Sequence, residues 1–189
     1  MNLRGLVALC ALACGGCLSK PSVIEVRTFV PAIPSDDAAE SRAPGLKVRL
    51  DRLGSAAYLD EAIVWQRSAT EWGRYDDRQW LEKPSHVMQR ALERELFERL
   101  GCVRVDGKAD VTIEVELAHF EEVLAPQHEA HVAVIVTWGG PDGTMRQSTK
   151  SARIAIEGDD PAAMAQAIGK AIGQVTAEVG ALVTGTGDR

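Results

Sequence analysis

The stretch "DVTIEVELAHF", residues 110–120, decides the fold. Val111, Ile113, Val115 and Leu117 alternate with Thr112, Glu114 and Glu116, and a period of two marks a strand with one buried and one wet face. Just downstream, "HVAVIVTW", residues 131–138, is apolar on both faces and belongs nearer the centre of a sheet. "GGPDG", residues 139–143, has turn composition, and "STKSARIAIEG" brings the chain back, so 131–157 reads as a hairpin.

Working upstream, "LKVRLDRL", residues 46–53, alternates in the same way, with Leu46, Val48 and Leu50 on one side and Lys47, Arg49 and Asp51 on the other. "AIVWQRSA" from Ala62 and "EWGRY" from Glu71 read as strands around a short turn. "VIEVRTF" is a first strand and "CVRV" a short one. "PAIPSDDAAESRAPG", residues 31–45, is a loop, long for a compact domain and therefore a candidate for mobility or partner contact.

Two segments change the period to that of a helix. In "PSHVMQRALERELFERL", residues 84–100, Met88, Leu92, Leu96 and Leu100 recur every four positions. Pro84 or Ser85 starts this helix and Gly101 ends it. Arg90, Glu93, Arg94 and Glu98 mark a solvated face, with Arg94–Glu98 and Glu95–Arg99 spaced for ion pairs along the helix. The second helix runs from about Pro161 to Val183 on the stripe Ile168, Ile172, Val175, Val179 and Leu182, with Asp159 and Asp160 placed to cap it. Its Gly169-x-x-x-Gly173 suggests small-residue packing against the sheet. The expected fold is α+β: a largely antiparallel or mixed sheet with two amphipathic helices packed on one face.

The N-terminus carries an address. Arg4 is the only charge before Lys20, and "GLVALCALAC" follows it, then Gly15-Gly16-Cys17. A short basic start, an apolar run too short for a membrane span and small residues before a cysteine describe a secretory signal. The end of that run resembles the lipobox of bacterial lipoproteins, with Cys17 as the first candidate for lipidation and Cys14 as the alternative. The resemblance implies acylation of the cysteine, and more than one buried chain anchors stably at about 0.8 kcal/mol per methylene. In that resemblance Asp after the lipidated cysteine implies inner-membrane retention; Leu18, or Gly15 for Cys14, stands there instead, which implies the outer membrane. The expected division is 1–16 signal peptide, 17–22 lipidated tether, 23–183 a single domain and 184–189 a loose tail.

Composition narrows the partners. The chain has 46% hydrophobic residues, enough for a core, and a formal charge of −6. Loss of Arg4 with the signal leaves 20 basic against 27 acidic residues, −7. An acidic domain without a clustered basic surface is not a nucleic-acid binder. After cleavage before Cys17 one thiol remains, Cys102, which reads as a small buried residue at a strand start.

No catalytic motif, cofactor site or metal site is expected. There is no G-x-S-x-G, P-loop or H-E-x-x-H. His128 and His131 read as surface and edge residues pointing to opposite faces, and the acid pair at 121–122 as a charge pair in a loop or at an element end.

The unusual content is "YLDEAIVWQRSATEWGRYDDRQWLEKP", residues 58–84, which holds five of the nine aromatics, Tyr58, Trp65, Trp72, Tyr75 and Trp80, among Arg67, Arg74 and Arg78. Such a segment serves either as core packing where strands meet the first helix or as an interface hot spot. Here a resemblance becomes specific. Tyr58-Leu59, Ile63-Val64, Arg67, Tyr75, Trp80 and Pro84 before an amphipathic helix resemble the ABC-type transport auxiliary lipoprotein family, over nearly all the mature chain. The resemblance implies an outer-membrane-anchored, periplasm-facing, non-catalytic docking subunit of a lipid transporter. Its implied partners are a mammalian-cell-entry domain protein and the associated transporter complex. Phospholipid and further copies of the chain in a ring-like homo-oligomer are further candidates. Tyr58, Leu59, Arg67, Tyr75 and Trp80 are the candidate contact residues. A periplasmic lipid-binding carrier with its own hydrophobic groove is the alternative.

Overall fold

The computed structural model describes residues 24–34 and 45–185. Both candidate lipidation cysteines, the signal peptide, the tether, the middle of the 31–45 loop and the last four residues lie outside them. In chain order the elements are β1 (Arg27–Phe29), β2 (Lys47–Leu50), β3 (Gly54–Ser55), β4 (Ala62–Gln66), β5 (Trp72–Trp80) and α1 (Pro84–Glu93), which a π-helical segment continues over Arg94–Arg99. Then follow β6 (Val103–Arg104), β7 (Val111–Val123), β8 (Glu129–Gly139), β9 (Met145–Ala155) and α2 (Pro161–Val183).

Strand β7 is the spine of one nine-stranded sheet. Along one edge it pairs antiparallel with β8, which pairs antiparallel with β9. Along the other edge β2, β3 and β4 lie end to end, each parallel to β7. Strand β5 turns back antiparallel on β4 and takes β1 parallel at its far edge, and β6 joins β2 in parallel. The α+β expectation holds and the sheet is mixed. Alternation reports which face a strand buries, not the direction of its neighbour. The parallel pairings of β2, β3 and β4 with β7 arise because α1 carries the chain across before β7 begins.

Both helices pack on one face of this sheet, α2 over β8 and β9 and α1 beside it. Between the layers Leu92, Leu96, Ile113, Leu117, Val132, Val134, Ile168, Ile172 and Val175 are fully buried, each worth roughly 1.5–3 kcal/mol of burial. Asp160 caps α2 by accepting from the Ala162 N–H at 3.0 Å, with Pro161 in the first turn. Gly101, at φ +72°, lets the chain leave the first helix in the left-handed region.

Three local readings change. Glu95 is not on a wet face: it is 7% exposed and its carboxylate is forked by Arg99, in the segment where the Leu100 N–H reaches back to the Glu95 carbonyl at 3.0 Å. Gly169 serves the backbone after β1 rather than the sheet, since a Cβ there would stand 2.1 Å from the Ala32 carbonyl oxygen. Strand β5 runs to Trp80, well past "EWGRY", because β1 and β4 pair with its second half. The acids at Asp76 and Asp77 hide that extension from any apolar pattern.

Candidate functional site

The site begins with one extra residue in β7. Leu117 pairs with Val134 and His119 with Ala133, so Ala118 has no partner across the ladder. A bulge of this kind shifts the facing of everything after it. Up to Leu117 the odd-numbered residues face the helices, and beyond the bulge Phe120 does. Phe120 is 1% exposed and meets Trp80 edge-on at 5.4 Å. His119 and Glu121 are thereby turned to the sheet's other face. The Tyr58 hydroxyl holds the bulge by donating to the Ala118 carbonyl at 2.8 Å.

On that face Glu121 is buried, and a buried carboxylate must be compensated. Its Oε1 lies 2.8 Å from Nδ1 of His119 and 2.7 Å from Nδ1 of His131, its ladder partner on β8. Its Oε2 accepts from the Phe120 N–H at 2.7 Å. The two imidazoles stack at 4.6 Å, and His131 Nε2 sits 3.1 Å from Ser151 Oγ on β9. Tyr58 adjoins the same cluster, and burial, then Glu121, push its pKa up.

The next residue repeats the arrangement on the helix side. Glu122 is also buried, with Oε1 2.6 Å from His128 Nε2 and Oε2 without a hydrogen-bond partner. Burial, followed by Glu122, raises the Tyr75 pKa, and the Arg78 guanidinium lies over the Tyr75 ring at 4.0 Å. These findings correct two expectations. His131 is buried in the sheet rather than at a surface edge, and the acids at 121–122 are interior strand residues. Strand spacing alone hid both. The available signal was a pair of adjacent acids between Phe120 and Val123, since adjacent strand residues face opposite sides and both sides here are covered.

Beside His119 opens a groove of about 580 Å³ lined mostly by apolar surface from Tyr58, Val64, Trp72, Ala118 and His119, with Arg74 at its side. Trp72 meets Tyr58 edge-on at 5.7 Å and is 37% exposed. Arg74 is held by Asp60 Oδ2 at 2.9 Å and the Tyr58 carbonyl at 3.0 Å. Trp65 lies across Gly73, where a Cβ would come within 2.2 Å of its ring.

The candidate contact residues separate by depth. Leu59 and Trp80 lie in the core, Tyr58 and Tyr75 are half-buried, and Arg67 is exposed at the β4–β5 turn with Glu71 at 2.7 Å. Cys17 and Cys14 lie outside the described residues. Cys102 is buried, and burial, then Glu95, raise its pKa, which keeps the thiol in its unreactive form.

Sheet, helix pair and open-face groove define a small α+β domain whose recognisable surface is built around one bulged strand. The chain belongs to the family of ABC-type transport auxiliary lipoprotein components, whose model matches residues 30–180. Among solved structures it is similar to protein XCC0632 from Xanthomonas campestris, of family DUF330, at 19% identity and a TM-score of 0.68, over 86% of this chain and 98% of that one. A second crystal structure, of an uncharacterized protein, aligns at 13% identity and a TM-score of 0.67 over 84% and 99%. The PelC dodecamer from Paraburkholderia phytofirmans aligns more distantly, at 12% identity and a TM-score of 0.39 over 74% and 92%. The first two likenesses concern the fold alone. No curated protein matches the chain in sequence.

Proposed function

We propose that this lipoprotein is a non-catalytic docking subunit of an envelope lipid-transport system, anchored in the outer membrane and facing the periplasm. The observation that carries the proposal is membership of the transport auxiliary family over residues 30–180. Lipid on Cys17, or on Cys14, tethers the domain. No helix among the described residues is long and apolar enough to cross a membrane, so such a tether is in keeping with the fold. The partner is a mammalian-cell-entry domain protein with its transporter complex. The contact surface is the exposed part of the β4–β5 hairpin around Arg67 and Trp72, with Tyr58 packed edge-on against Trp72, while Leu59, Tyr75 and Trp80 hold the strands that present it. Purification through the native anchor under mild detergent recovers a mammalian-cell-entry domain protein on this account. Repeated recovery of the lipoprotein without one would sink it.

The groove beside Trp72 favours a second reading, a lipid-binding carrier. Its volume is that of a small-molecule site. Native mass spectrometry that finds phospholipid bound to the purified domain in one-to-one ratio supports the carrier, and a lipid-free mass supports the docking subunit. The same spectra report a homo-oligomer, for which the exposed Ile24, Val26, Val30 and Leu81 around β1 supply apolar contact area.

A further inference from the structure

We infer that His119, Glu121 and His131 form a binding site for one divalent transition-metal ion of the Zn²⁺ class, opening onto the groove. One ring nitrogen from each histidine and a carboxylate oxygen of Glu121 lie within 4.8 Å of one another, and on both rings it is Nδ1 that meets the carboxylate. Donors held about 2.0–2.1 Å from a common ion stand roughly 3 Å apart. The two nitrogens already lie 2.8 and 2.7 Å from Glu121 Oε1, so an ion replaces the protons that now join them once the stacked rings turn their Nδ1 lone pairs onto a common point.

The cluster is built rather than incidental. Glu121 and His131 are 1% and 7% exposed and cannot swing into water. The bulge at Ala118 brings His119 to the same face as Glu121, and the cross-strand register places His131 opposite that glutamate. Two imidazoles and one carboxylate favour Zn²⁺, Co²⁺ or Ni²⁺ over Mg²⁺ and Ca²⁺, which prefer all-oxygen shells. Coordination through Nδ1 requires each neutral ring to carry its proton on Nε2. For His131 that N–H then donates to Ser151 Oγ, 3.1 Å away, an arrangement that fixes the ring and its tautomer. The His119 side chain is 40% exposed, which leaves its ring open to solvent. Three protein donors leave a fourth position free. Because His119 lines the groove while the other two are sealed, that position faces the groove.

One group opposes the ion. Arg153 Nη2 lies 3.5 Å from His131 Nδ1, and its Nη1 is 3.4 Å from Glu129 Oε2. Arg153→Gln therefore tightens metal binding.

The test uses the full-length lipoprotein in detergent, stripped with a chelator and titrated with Zn²⁺ by calorimetry and with Co²⁺ by visible absorption. Expected are one ion per chain, a Co²⁺ d–d band, and weakening by at least about tenfold in both His119→Ala and Glu121→Gln, with His128→Ala unchanged. Circular dichroism confirms each fold. Should Glu121→Gln unfold, the half-exposed His119→Ala decides alone. Absence of saturable binding, or binding that His119→Ala leaves intact, overturns the site.

Discussion

Tyr58 and Tyr75 are the only tyrosines in the chain, and each stands beside one of the two buried glutamates, on opposite faces of the sheet. Burial and the adjacent carboxylate raise both pKa values above the ordinary value of about 10. A group raised in the folded state binds its proton more tightly there, so its stabilising contribution is complete below pH 10 and is lost as pH rises beyond it. Absorption at 295 nm should therefore show almost no tyrosinate in the native protein at pH 10.5, where an unfolded chain is largely ionised, and stability to urea should fall above pH 10. A native titration centred near pH 10 would contradict the burial of both rings. Trp80 offers a second check at this scale. It is 2% exposed against Phe120, so Trp80→Ala should cost about 3–5 kcal/mol in chemical denaturation, whereas Arg67→Ala, at the exposed turn, should change stability by no more than about 0.5 kcal/mol.

At the scale of elements, the bulge in β7 explains both what was legible and what was not. The run from Val111 to Leu117 announces a strand by its period, and the helices announce themselves by theirs, including the cap at Asp160. What no period reveals is the single extra residue, Ala118. Carried past it, the alternation of "DVTIEVEL" would put His119 and Glu121 among the helices and Phe120 in the open, the reverse of the observed facing. The histidine cluster was illegible for that reason, and because His131 reaches Glu121 only through a strand register that local sequence does not encode. The prediction is asymmetric. Deleting Ala118 leaves Leu117, His119 and Phe120 in regular alternation with their partners on β8 unchanged and should retain a cooperative melt, whereas inserting one residue after Ala118 restores alternation only by sliding the rest of β7 two residues along β8, which separates Glu121 from His131 and should cost far more stability. Equal damage from both changes would remove the bulge from the account. The helix α2 carries its own test at Gly169, where a methyl group meets the Ala32 backbone. Gly169→Ala should destabilise by about 1–3 kcal/mol as overpacking, despite the gain in helix propensity.

At the scale of the whole molecule, the resemblance carried by Tyr58-Leu59, Tyr75 and Trp80 reads differently once depth is known. Leu59 and Trp80 secure the core, Tyr58 secures the bulge, and the outward products of the same segment are the Trp72 groove and the Arg67 turn. Of the five candidate contact residues, Arg67 alone is exposed; Tyr58 and Tyr75 are half-buried, and Leu59 and Trp80 lie in the core. In the proposed function this surface meets a mammalian-cell-entry domain protein. That contact is tested most directly by photo-crosslinking in intact cells from probes at Arg67 and Trp72, with Leu59 as the buried control. Specific capture of that partner from the two surface positions and not from Leu59 is the predicted result. Capture of nothing but lipid, or of no protein from either surface position, would contradict it.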